Sequence, residues 1–346
     1  MEGMMKVAIM TDIQKMDFEE RPIPQPKDDE VLVKLDYVGI CGSDLHYYET
    51  GAIGDYVVKP PFVLGHEPGG VVVEVGKDVK HLQVGDRVAL EPGKTCGQCE
   101  FCKEGKYNLC PDVVFFATPP VDGVFQEYVA HEANLCFKLP DNVSTLEGAL
   151  IEPLAVGFHA AIQGDAHLGQ KAVVMGAGCI GLVSMMALKA RGVSEVYVVD
   201  VMDKRLEKAM ELGATGVING AKEDVVAKVK ELTGYDMFLF RPPYGDYDND
   251  VVKNARANHY YPIQWDVDSL DWKDYGADDI IKRVTEDSHL GNGSIILCHN
   301  GAKYTKDALD TLITTLQDKG YEFVPVSQLI YKENYHMDHE GRQIPD

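Results

Sequence analysis

The sequence has few positive charges and no long apolar run. Its 346 residues include 33 Lys and Arg against 55 Asp and Glu, a formal net charge of −22. So acidic a surface argues against nucleic acid, whose phosphates need a basic partner. No apolar run approaches the roughly 18 residues of a membrane-spanning helix, and the start, MEGMMKVAIMTD, lacks a secretory apolar region. The sequence predicts a cytoplasmic protein that handles neutral or cationic small molecules, with neither nucleic acid nor membrane as a partner.

Tryptophan is also scarce, and the composition changes part-way along the chain. Both tryptophans and ten of the seventeen tyrosines lie after Gly234, whereas seven of the eight cysteines lie before it. In a cytoplasmic protein, cysteines are more often metal ligands or buried thiols than disulfides. The length predicts at least two domains, yet no Pro/Ser linker or repeat marks the change near Gly234.

The order of the predicted elements indicates two kinds of fold. Residues 1–155 contain many short β-branched runs, such as EVLVKLDYVGI and GGVVVEVG, which are broken by turn residues. From about residue 165, strands alternate with helices, which predicts a parallel sheet. After Gly234 the runs DMFLF, YPIQWDV and SIILCH are typical of buried strands. The helices are predicted at residues 179–191, 203–213, 222–233, 249–258, 277–287 and 305–319.

Four cysteines form a close-set group in the run CGQCEFCKEGKYNLC. Cys96, Cys99, Cys102 and Cys110 have the spacing C-x2-C-x2-C-x7-C, and four thiolates can enclose a tetrahedral zinc ion. Such a site has no vacancy for a substrate, so its role would be structural. An iron–sulfur cluster is the rival interpretation, although its usual spacings fit poorly, and four unrelated buried thiols are the remaining alternative.

A second group of metal-ligand residues comes from two separate segments. GICGSDLHYY supplies Cys41, and LGHEPGG supplies His66 and Glu67. One thiolate, one imidazole and one carboxylate leave a fourth position open, as a catalytic zinc requires, and a metal there can polarise an alcohol oxygen. Taken alone, a histidine after glycine is more often a turn or packing residue.

Three further residues are candidates for catalysis beside that group. Ser43 and His46 follow Cys41 closely, and their hydroxyl and imidazole can pass a proton to solvent. Alternatively, Ser43 caps a helix, with Asp44 nearby. Glu152 is a carboxylate in an apolar setting and would be costly to bury without a metal or partner.

The run VVMGAGCIG has the glycine pattern of a dinucleotide-binding turn. Gly176, Gly178 and Gly181 follow a predicted strand and open a helix, where a pyrophosphate can approach the helix N-terminus. Asp200 ends the next strand and suits the ribose 2′-hydroxyl of NAD, although Arg205 nearby complicates that preference. A plain strand-to-helix turn is the alternative.

With these motifs in place, residues 1–234 resemble the zinc-dependent medium-chain dehydrogenases, in their sorbitol (L-iditol) and xylitol dehydrogenase branch. The resemblance is carried by GICGSDLHYYETGAIGDYVVKPPFVLGHE, YNLCPDVVFFATPPVDG, KLPDNVSTLEGALIEPLAVG and GAGCIG. It implies a GroES-like all-β domain followed by a Rossmann-type sheet, two zinc ions per chain, NAD, a sugar alcohol as substrate, and a homo-oligomer.

The resemblance also assigns roles to individual residues. It implies that Cys41, His66 and Glu67 bind the catalytic zinc and that Glu152 lies close to it. Tyr47 and Glu152 would contact the polyol. The NAD site would be lined by Ile180, Asp200 and Arg205.

Residues 235–346 do not continue that family's sequence and instead resemble the C-terminal half of NodB-homology polysaccharide deacetylases. The matching motifs are FRPPYG, WDVDSLDW and SIILCHN, which contain Arg241, Tyr244, Asp268, Asp271, Trp272, Leu297 and His299. The resemblance implies that His299 is a general acid, that an aspartate tunes it, and that Arg241 positions the base. The paired-aspartate and His-x-x-x-His metal motifs of that family are missing, and His336 and His339 have the wrong spacing.

The chain is therefore predicted to be chimera-like, with three segments. These are a zinc-binding GroES-like domain (1–156), the first half of an NAD-binding Rossmann domain (157–234), and a deacetylase-like βα segment (235–346) that replaces the second half. Three functions stay open: a zinc- and NAD-dependent polyol dehydrogenase impaired by the replacement, a carbohydrate deacetylase, and a folded zinc- and NAD-binding chain without turnover. Natural recombination, design and faulty sequence assembly would each produce such a chain.

Overall fold

A computed structural model describes residues 2–234, 237–242, 245, 247–273, 275–299, 302–338 and 341–346. The chain divides into two compact units, Met1–Val225 and Val226–Asp346. Among the described helices, none is long and apolar enough to cross a bilayer.

The first unit begins with an antiparallel β region, as its short β-branched runs predict. Its strands are β1 (Met4–Asp12), β2 (Lys15–Pro22), β3 (Glu30–Gly39), β4 (Ala52–Ile53), β5 (Tyr56–Val57), β6 (Glu67–Val75), β7 (Arg87–Leu90), β8 (Gly93–Lys94), β9 (Val114–Phe115), β10 (Tyr128–Glu132) and β11 (Cys136–Lys138). Five of them form one sheet in the order β10-β3-β6-β7-β11. Its core includes Val31, Val33, Val72 and Val88, which are fully buried.

Four helices accompany these strands. They are α1 (Gly42–Thr50), α2 (Glu100–Lys103), α3 (Thr145–Ala149) and α4 (Ile151–Gln163). Helix α1 starts directly after β3, and α3 begins with Ser144 as its cap, whose hydroxyl accepts a hydrogen bond from the backbone N–H of Glu147.

The first unit continues into a parallel sheet with the order β12-β13-β14. Its elements are β12 (Lys171–Met175), α5 (Cys179–Ala190), β13 (Glu195–Asp200), α6 (Asp203–Glu211) and β14 (Gly216–Asn219). A Cβ at Gly157 would overlap the backbone of Val183 and Ser184, so glycine lets α4 and α5 pack closely. The predicted strand–helix alternation and its parallel sheet are confirmed here.

The second unit has the predicted helices but much shorter strands than expected. Its elements are α7 (Val225–Thr233), β15 (Leu239–Phe240), α8 (Asn249–Ala257), β16 (Tyr261–Pro262), β17 (Val267–Asp268), α9 (Ala277–Thr285), β18 (Ile296–Leu297), α10 (Thr305–Asp318), α11 (Val326–Leu329), β19 (Tyr335–Met337) and β20 (Gln343–Pro345). A small core gathers Val267, Val284, Leu312 and Leu316.

The strand predictions for this unit need correction. YPIQWDV is not one strand, because β16 ends at Pro262, which has no N–H to donate, and β17 starts only at Val267. Instead of barrel-type βα units, the described residues form two separate parallel pairs, β15 with β16 and β17 with β18. An antiparallel hairpin of β19 and β20 follows them.

Candidate active site

Three potential metal ligands converge in the first unit. Cys41 lies between β3 and α1, where it is the cap residue of the helix, and Glu67 opens β6 directly after His66. In the antiparallel register Glu67 pairs with Gly39, which places the ends of β3 and β6 side by side. The ligand atoms of Cys41, His66 and Glu67 all lie within 4.8 Å of one another.

The residue opposite Glu67 must be small for this cluster to form. A Cβ built on Gly39 would overlap Oε2 of Glu67, so any larger residue would push the carboxylate away from Cys41 and His66. Glycine at position 39 therefore clears the space that the carboxylate occupies.

Asp44 forms hydrogen bonds to the backbone on both sides of the cluster. The sequence indicated it only as a neighbour of a possible helix cap. Its Oδ2 accepts a hydrogen bond from the backbone N–H of Cys41 at 2.9 Å, and its Oδ1 accepts one from Gly65 at 2.8 Å. Oδ1 also lies 3.7 Å from Nδ1 of His66, close enough for a charge interaction with the imidazole. The sequence could have indicated this role, because an acidic residue three positions after the cap residue often accepts a hydrogen bond from the backbone N–H of the cap residue.

The charges in the cluster stabilise one another. Hydrogen bonds from His66 and Ser43 lower the pKa of Cys41 despite its burial. Burial opposes the charged form of His66, but hydrogen bonds to Asp44 and Cys41 prevail and raise its pKa to about 10. Burial raises the pKa of Glu67. In both Cys41 and His66 the hydrogen bonds favour the charged form.

The other predicted residues of helix α1 occupy different environments. Ser43 lies in the first turn and hydrogen-bonds to Cys41, so the expectation that it caps the helix is wrong, because Cys41 holds that position. His46 is exposed one turn further along. Tyr47 is buried in an apolar cluster with Met10 and Phe62.

Glu152 lies in the first turn of α4, and its pKa is raised by burial and by the negative charge of Glu67. The thiol of Cys179, at the start of α5, has its pKa raised by burial and by the charges of Glu67, Cys41 and Glu152. Cys179, within the glycine-rich turn, therefore lies close enough to the Cys41–His66–Glu67 cluster to be influenced by its charges.

The four predicted cysteine ligands also come together. Sγ of Cys102 lies 3.4 Å from Sγ of Cys99 and 4.0 Å from that of Cys96, and the backbone N–H of Cys96 donates to Sγ of Cys110 at 3.4 Å. Zn–S bonds of about 2.3 Å in a tetrahedron separate sulfurs by about 3.8 Å. Backbone N–H groups of Gln98 and Cys99 lower the pKa of Cys96 to about 7, which favours the thiolate.

The glycine-rich turn joins β12 to α5. Gly176 has a φ of 97°, and a Cβ at Gly181 would overlap the carbonyl of Gly176, so both positions need glycine. No atom lies within 4 Å of a Cβ built on Gly178, which leaves open space at the start of the helix. Ile180, also on this turn, is 45% exposed.

Asp200 is hydrogen-bonded to the backbone of this turn. Its Oδ2 accepts a hydrogen bond from the backbone N–H of Ala177 at 2.8 Å, and its Oδ1 accepts one from Met202 at 2.9 Å. Arg205 lies 3.7 Å from Oδ2. These hydrogen bonds, with the charge of Arg205, lower the pKa of Asp200.

In the second unit, Asp271 and His299 form a close pair. Asp271 is buried, its Oδ1 lies 2.8 Å from Nδ1 of His299, and its carboxylate also accepts the backbone N–H of His299 and the hydroxyl of Thr305. Burial alone would raise the pKa of Asp271, but these hydrogen bonds lower it overall. The ring of Trp272 meets that of His299 edge-on, with centroids 6.2 Å apart.

The remaining residues that carry the deacetylase resemblance differ in burial and in their contacts. Arg241 is exposed after β15, Asp268 accepts the backbone N–H of Leu270, and Leu297 is buried. His336 lies 2.9 Å from Asp346. Tyr244 and His339 lie outside the described residues.

Comparison with known proteins identifies the family. Residues 27–141 match the alcohol dehydrogenase GroES-like domain, and residues 179–240 match the zinc-binding dehydrogenase domain. The second match extends through Phe240, beyond the change of composition at Gly234. The chain belongs to the zinc-dependent medium-chain dehydrogenases.

Individual relatives agree with this assignment. Sorbitol dehydrogenase of Bacillus subtilis (strain 168) is 49% identical over 229 residues, which are 66% of this chain and 65% of that protein. An Escherichia coli oxidoreductase/dehydrogenase of unknown specificity, involved in membrane biogenesis, is 46% identical, with a TM-score of 0.66 and 73% of each chain covered. A short chain alcohol dehydrogenase of E. coli CFT073, solved with the cofactor NADH, is 28% identical, with a TM-score of 0.62 and coverage of 90% of this chain and 81% of that one. The chain thus spans less than two thirds of the length of the B. subtilis enzyme.

Proposed function

We propose that this chain is a zinc- and NAD-dependent polyol dehydrogenase, which oxidises a sugar alcohol of the sorbitol or xylitol type. The observation that carries the proposal is the convergence of the ligand atoms of Cys41, His66 and Glu67 within 4.8 Å of one another, in the same unit as the glycine-rich turn at Gly176–Gly181. The B. subtilis relative, a sorbitol dehydrogenase by name, supports the substrate class.

The donor sets fit zinc at both clusters. Cys41, His66 and Glu67 would hold the catalytic ion and leave a position for substrate, whereas Cys96, Cys99, Cys102 and Cys110 would enclose a structural ion. When bound, the catalytic zinc supplies a Lewis acid for the alcohol oxygen, and NAD supplies the hydride acceptor. Asp44, 3.7 Å from Nδ1 of His66, would help to orient the imidazole.

Residues of helix α1 would remove the proton of the alcohol. The hydroxyl of Ser43 lies beside Cys41 and would accept the proton at Oγ, while exposed His46 would pass it to solvent. Glu152 would contact the hydroxyl groups of the polyol, whereas Tyr47, which the family resemblance also assigns to the polyol, is buried and could do so only after a local rearrangement. Burial raises the pKa of Glu152, and its carboxyl oxygens can accept hydrogen bonds from the hydroxyl groups of a polyol.

The turn after β12 fits the pyrophosphate of NAD. The space around Gly178, the N-terminus of α5 and the hydrogen bond from Ala177 to Asp200 together offer a braced anion site. Asp200 would meet the ribose 2′-hydroxyl, with Ile180 and Arg205 flanking the cofactor.

The proposal is tested by incubating zinc-loaded protein with NAD and sorbitol or xylitol and following NADH absorbance, alongside zinc analysis. Two zinc ions per chain with NADH formation would support it. Folded protein with two zinc ions and bound NAD but no NADH formation would instead identify a chain without turnover.

We also propose the boundaries 1–156, 157–234 and 235–346, with the last segment derived from a deacetylase-type fold. The change of composition at Gly234 and the three motifs at Arg241, Asp271 and His299 support this division. A homo-oligomer is proposed by analogy with this class of enzyme and is measured by light scattering.

One observation favours a second candidate function for the last segment. Asp271 holds Nδ1 of His299, an arrangement that orients an imidazole for proton transfer, as a carbohydrate deacetylase requires. Because the metal motifs of that family are missing, we expect no acetate release from chitooligosaccharides. Acetate release that survives Cys41→Ala but not His299→Ala would reverse this assignment.

A further inference from the structure

A cavity of about 580 Å³ lies in the first unit, next to the Cys41–His66–Glu67 cluster. Phe115 lines this cavity, and the centroid of its ring lies 5.7 Å from that of His66. Glu152, which the proposed function places at the polyol, lines it as well. The volume is in the range of small-molecule sites. A substrate of the proposed dehydrogenase would therefore occupy this cavity.

Glu91 brings a second carboxylate to the cavity wall, and the proposed mechanism does not use it. The residue follows β7 directly. Its backbone N–H donates to the carbonyl of Leu135 at 2.8 Å, and its own carbonyl lies 2.8 Å from Nε2 of His131. The hydroxyl of Tyr107, another residue of the wall, donates to Oε2 of Glu91 at 3.5 Å. These contacts hold both the backbone and the carboxylate of Glu91 in place.

The carboxylates of Glu91 and Glu152 lie in a wall that also contains apolar side chains such as Phe115 and Phe137. Burial raises the pKa of Glu91. Burial, and then the charges of Glu67 and Glu91, raise the pKa of Glu152, so the two carboxylates of the cavity are close enough to affect each other. Because apolar surroundings screen charge less than water does, an anionic group in the cavity would be repelled by both.

Two basic side chains also line the cavity, but they do not cancel this negative charge. Nζ of Lys106 lies 3.2 Å from a carboxylate oxygen of Glu104, which offsets the charge of the lysine. His159 is exposed, and its Nε2 lies 3.4 Å from the side-chain amide of Gln163. The wall therefore presents more negative than positive charge to a ligand.

We propose that Glu91 is a specificity-determining residue of this cavity, where its carboxylate and that of Glu152 admit neutral and cationic polyols and exclude sugar acids and sugar phosphates. This assignment rests on the proposed function, because it takes the cavity to be the polyol site. Hydroxyl and ammonium groups donate hydrogen bonds that a carboxylate accepts. Ionised carboxyl groups and phosphates bring a like charge instead, and like charges repel at this range.

Three six-carbon ligands that differ in one terminal group test this proposal: cationic glucamine, neutral sorbitol and anionic gluconate. Ligand-observed NMR measures their binding to zinc-loaded protein without NAD, at pH 8, where imidazole groups are generally neutral. We expect glucamine to bind most tightly and gluconate at least about tenfold more weakly than sorbitol, since a charge several ångströms away acts at an effective dielectric constant of about 20. Gluconate binding as tight as that of sorbitol would overturn the proposal, as would no binding of any ligand up to about 50 mM.

Binding in this experiment requires no turnover, so it separates the two proposals. Failure to form NADH from sorbitol, with the expected order of binding intact, would count against the dehydrogenase and not against the charge selectivity of the cavity. The reverse result, NADH formation with no preference for sorbitol over gluconate, would count against the role of Glu91 alone.

Glu91→Gln should narrow the difference between sorbitol and gluconate roughly three- to tenfold, because one of the two charges is removed. Glu91→Asp keeps the charge and should preserve the difference. Glu20→Gln, an exposed acid on β2 outside the cavity, is the matched control. Glu91→Ser replaces Glu91→Gln if that variant fails to fold by circular dichroism.

A purely structural role of Glu91 would weaken all three ligands equally, and direct binding of a terminal group to zinc would leave the order unchanged in Glu91→Gln. Either result would overturn the proposal. So would an equal narrowing of the difference in Glu91→Asp or in Glu20→Gln.

Discussion

The two units of this chain differ in how completely each presents a chemical site. The first unit has a five-stranded and a three-stranded sheet, several buried clusters and two groups of residues that could hold a metal ion. The second has strands of two or three residues, a smaller core and a hydrogen-bonded Asp271–His299 pair, and its described residues include no group that could hold a metal ion.

The difference shows what holds a site in place. In the first unit, Cys41 and Glu67 are fixed by adjacent long strands, and Asp44 ties the backbone near both. In the second unit, Asp271 and His299 depend mainly on hydrogen bonds to each other and to Thr305. Regular pairing thus positions the metal donors, whereas a local polar network positions the Asp–His pair.

The largest expected effect comes from removing a ligand in the first unit. Cys41→Ala should lower the zinc content from about two ions per chain to about one and reduce NADH formation by more than about a hundredfold, because the open site loses its thiolate. Elemental analysis and NADH absorbance measure both effects. Cys298→Ser, an exposed cysteine of the second unit, is the control. Unchanged zinc content in Cys41→Ala would refute the assignment of this ligand.

Gly39→Ala should weaken zinc binding at the same cluster about 10- to 100-fold, because its methyl group would displace the carboxylate of Glu67. Competition with a chromogenic chelator measures the affinity. Gly42→Ala is the matched control, since no atom lies within 4 Å of a Cβ there. Equal affinities for the two variants would show that Glu67 is not a ligand.

Asp271→Asn should destabilise the second unit by about 2 kcal/mol at pH 7, because charged hydrogen bonds to His299 and Thr305 are replaced by neutral ones. Folding lowers the pKa of Asp271, so its contribution is present above about pH 4 and is lost as the pH falls further. Urea unfolding followed by fluorescence reports this unit, because both tryptophans lie in it. The difference between variant and parent should shrink at pH 3, and a constant difference would contradict the mechanism.

The smallest effect concerns the cofactor. Asp200→Asn should weaken NAD binding about tenfold and NADP binding less, because the charge that disfavours a 2′-phosphate is removed. Titration calorimetry with both cofactors measures the ratio. Asp203→Asn, an acid on the neighbouring helix, is the control, and an unchanged NAD/NADP ratio for Asp200→Asn would argue against contact with the ribose.

Much of the first unit follows from local sequence. The β-rich start, the alternation after residue 165, and the grouping of the four cysteines depend on spacing within short segments. Cys41 and His66 are 25 residues apart, and their meeting was predicted from ligand chemistry and family resemblance.

The remaining features depend on packing that spacing does not encode. Asp44 lies beside His66 because the start of its helix packs against the segment that contains His66. Tyr47, on the same helix, is buried in an apolar cluster. In the second unit, the apolar runs that are typical of long strands contain only short strands, which pair two by two and are joined by loops. A period-2 pattern shows which residues are buried, but it does not show whether a neighbouring strand is there to pair with them.

The lowered pKa of Cys41 has a practical consequence for handling the protein. A thiolate held by His66 and Ser43 is a good nucleophile toward alkylating agents and peroxide unless a metal occupies it. The same hydrogen bonds that would favour metal coordination by this sulfur should therefore make the metal-free protein more reactive at Cys41. Iodoacetamide should label Cys41 rapidly after chelation, and zinc should protect it.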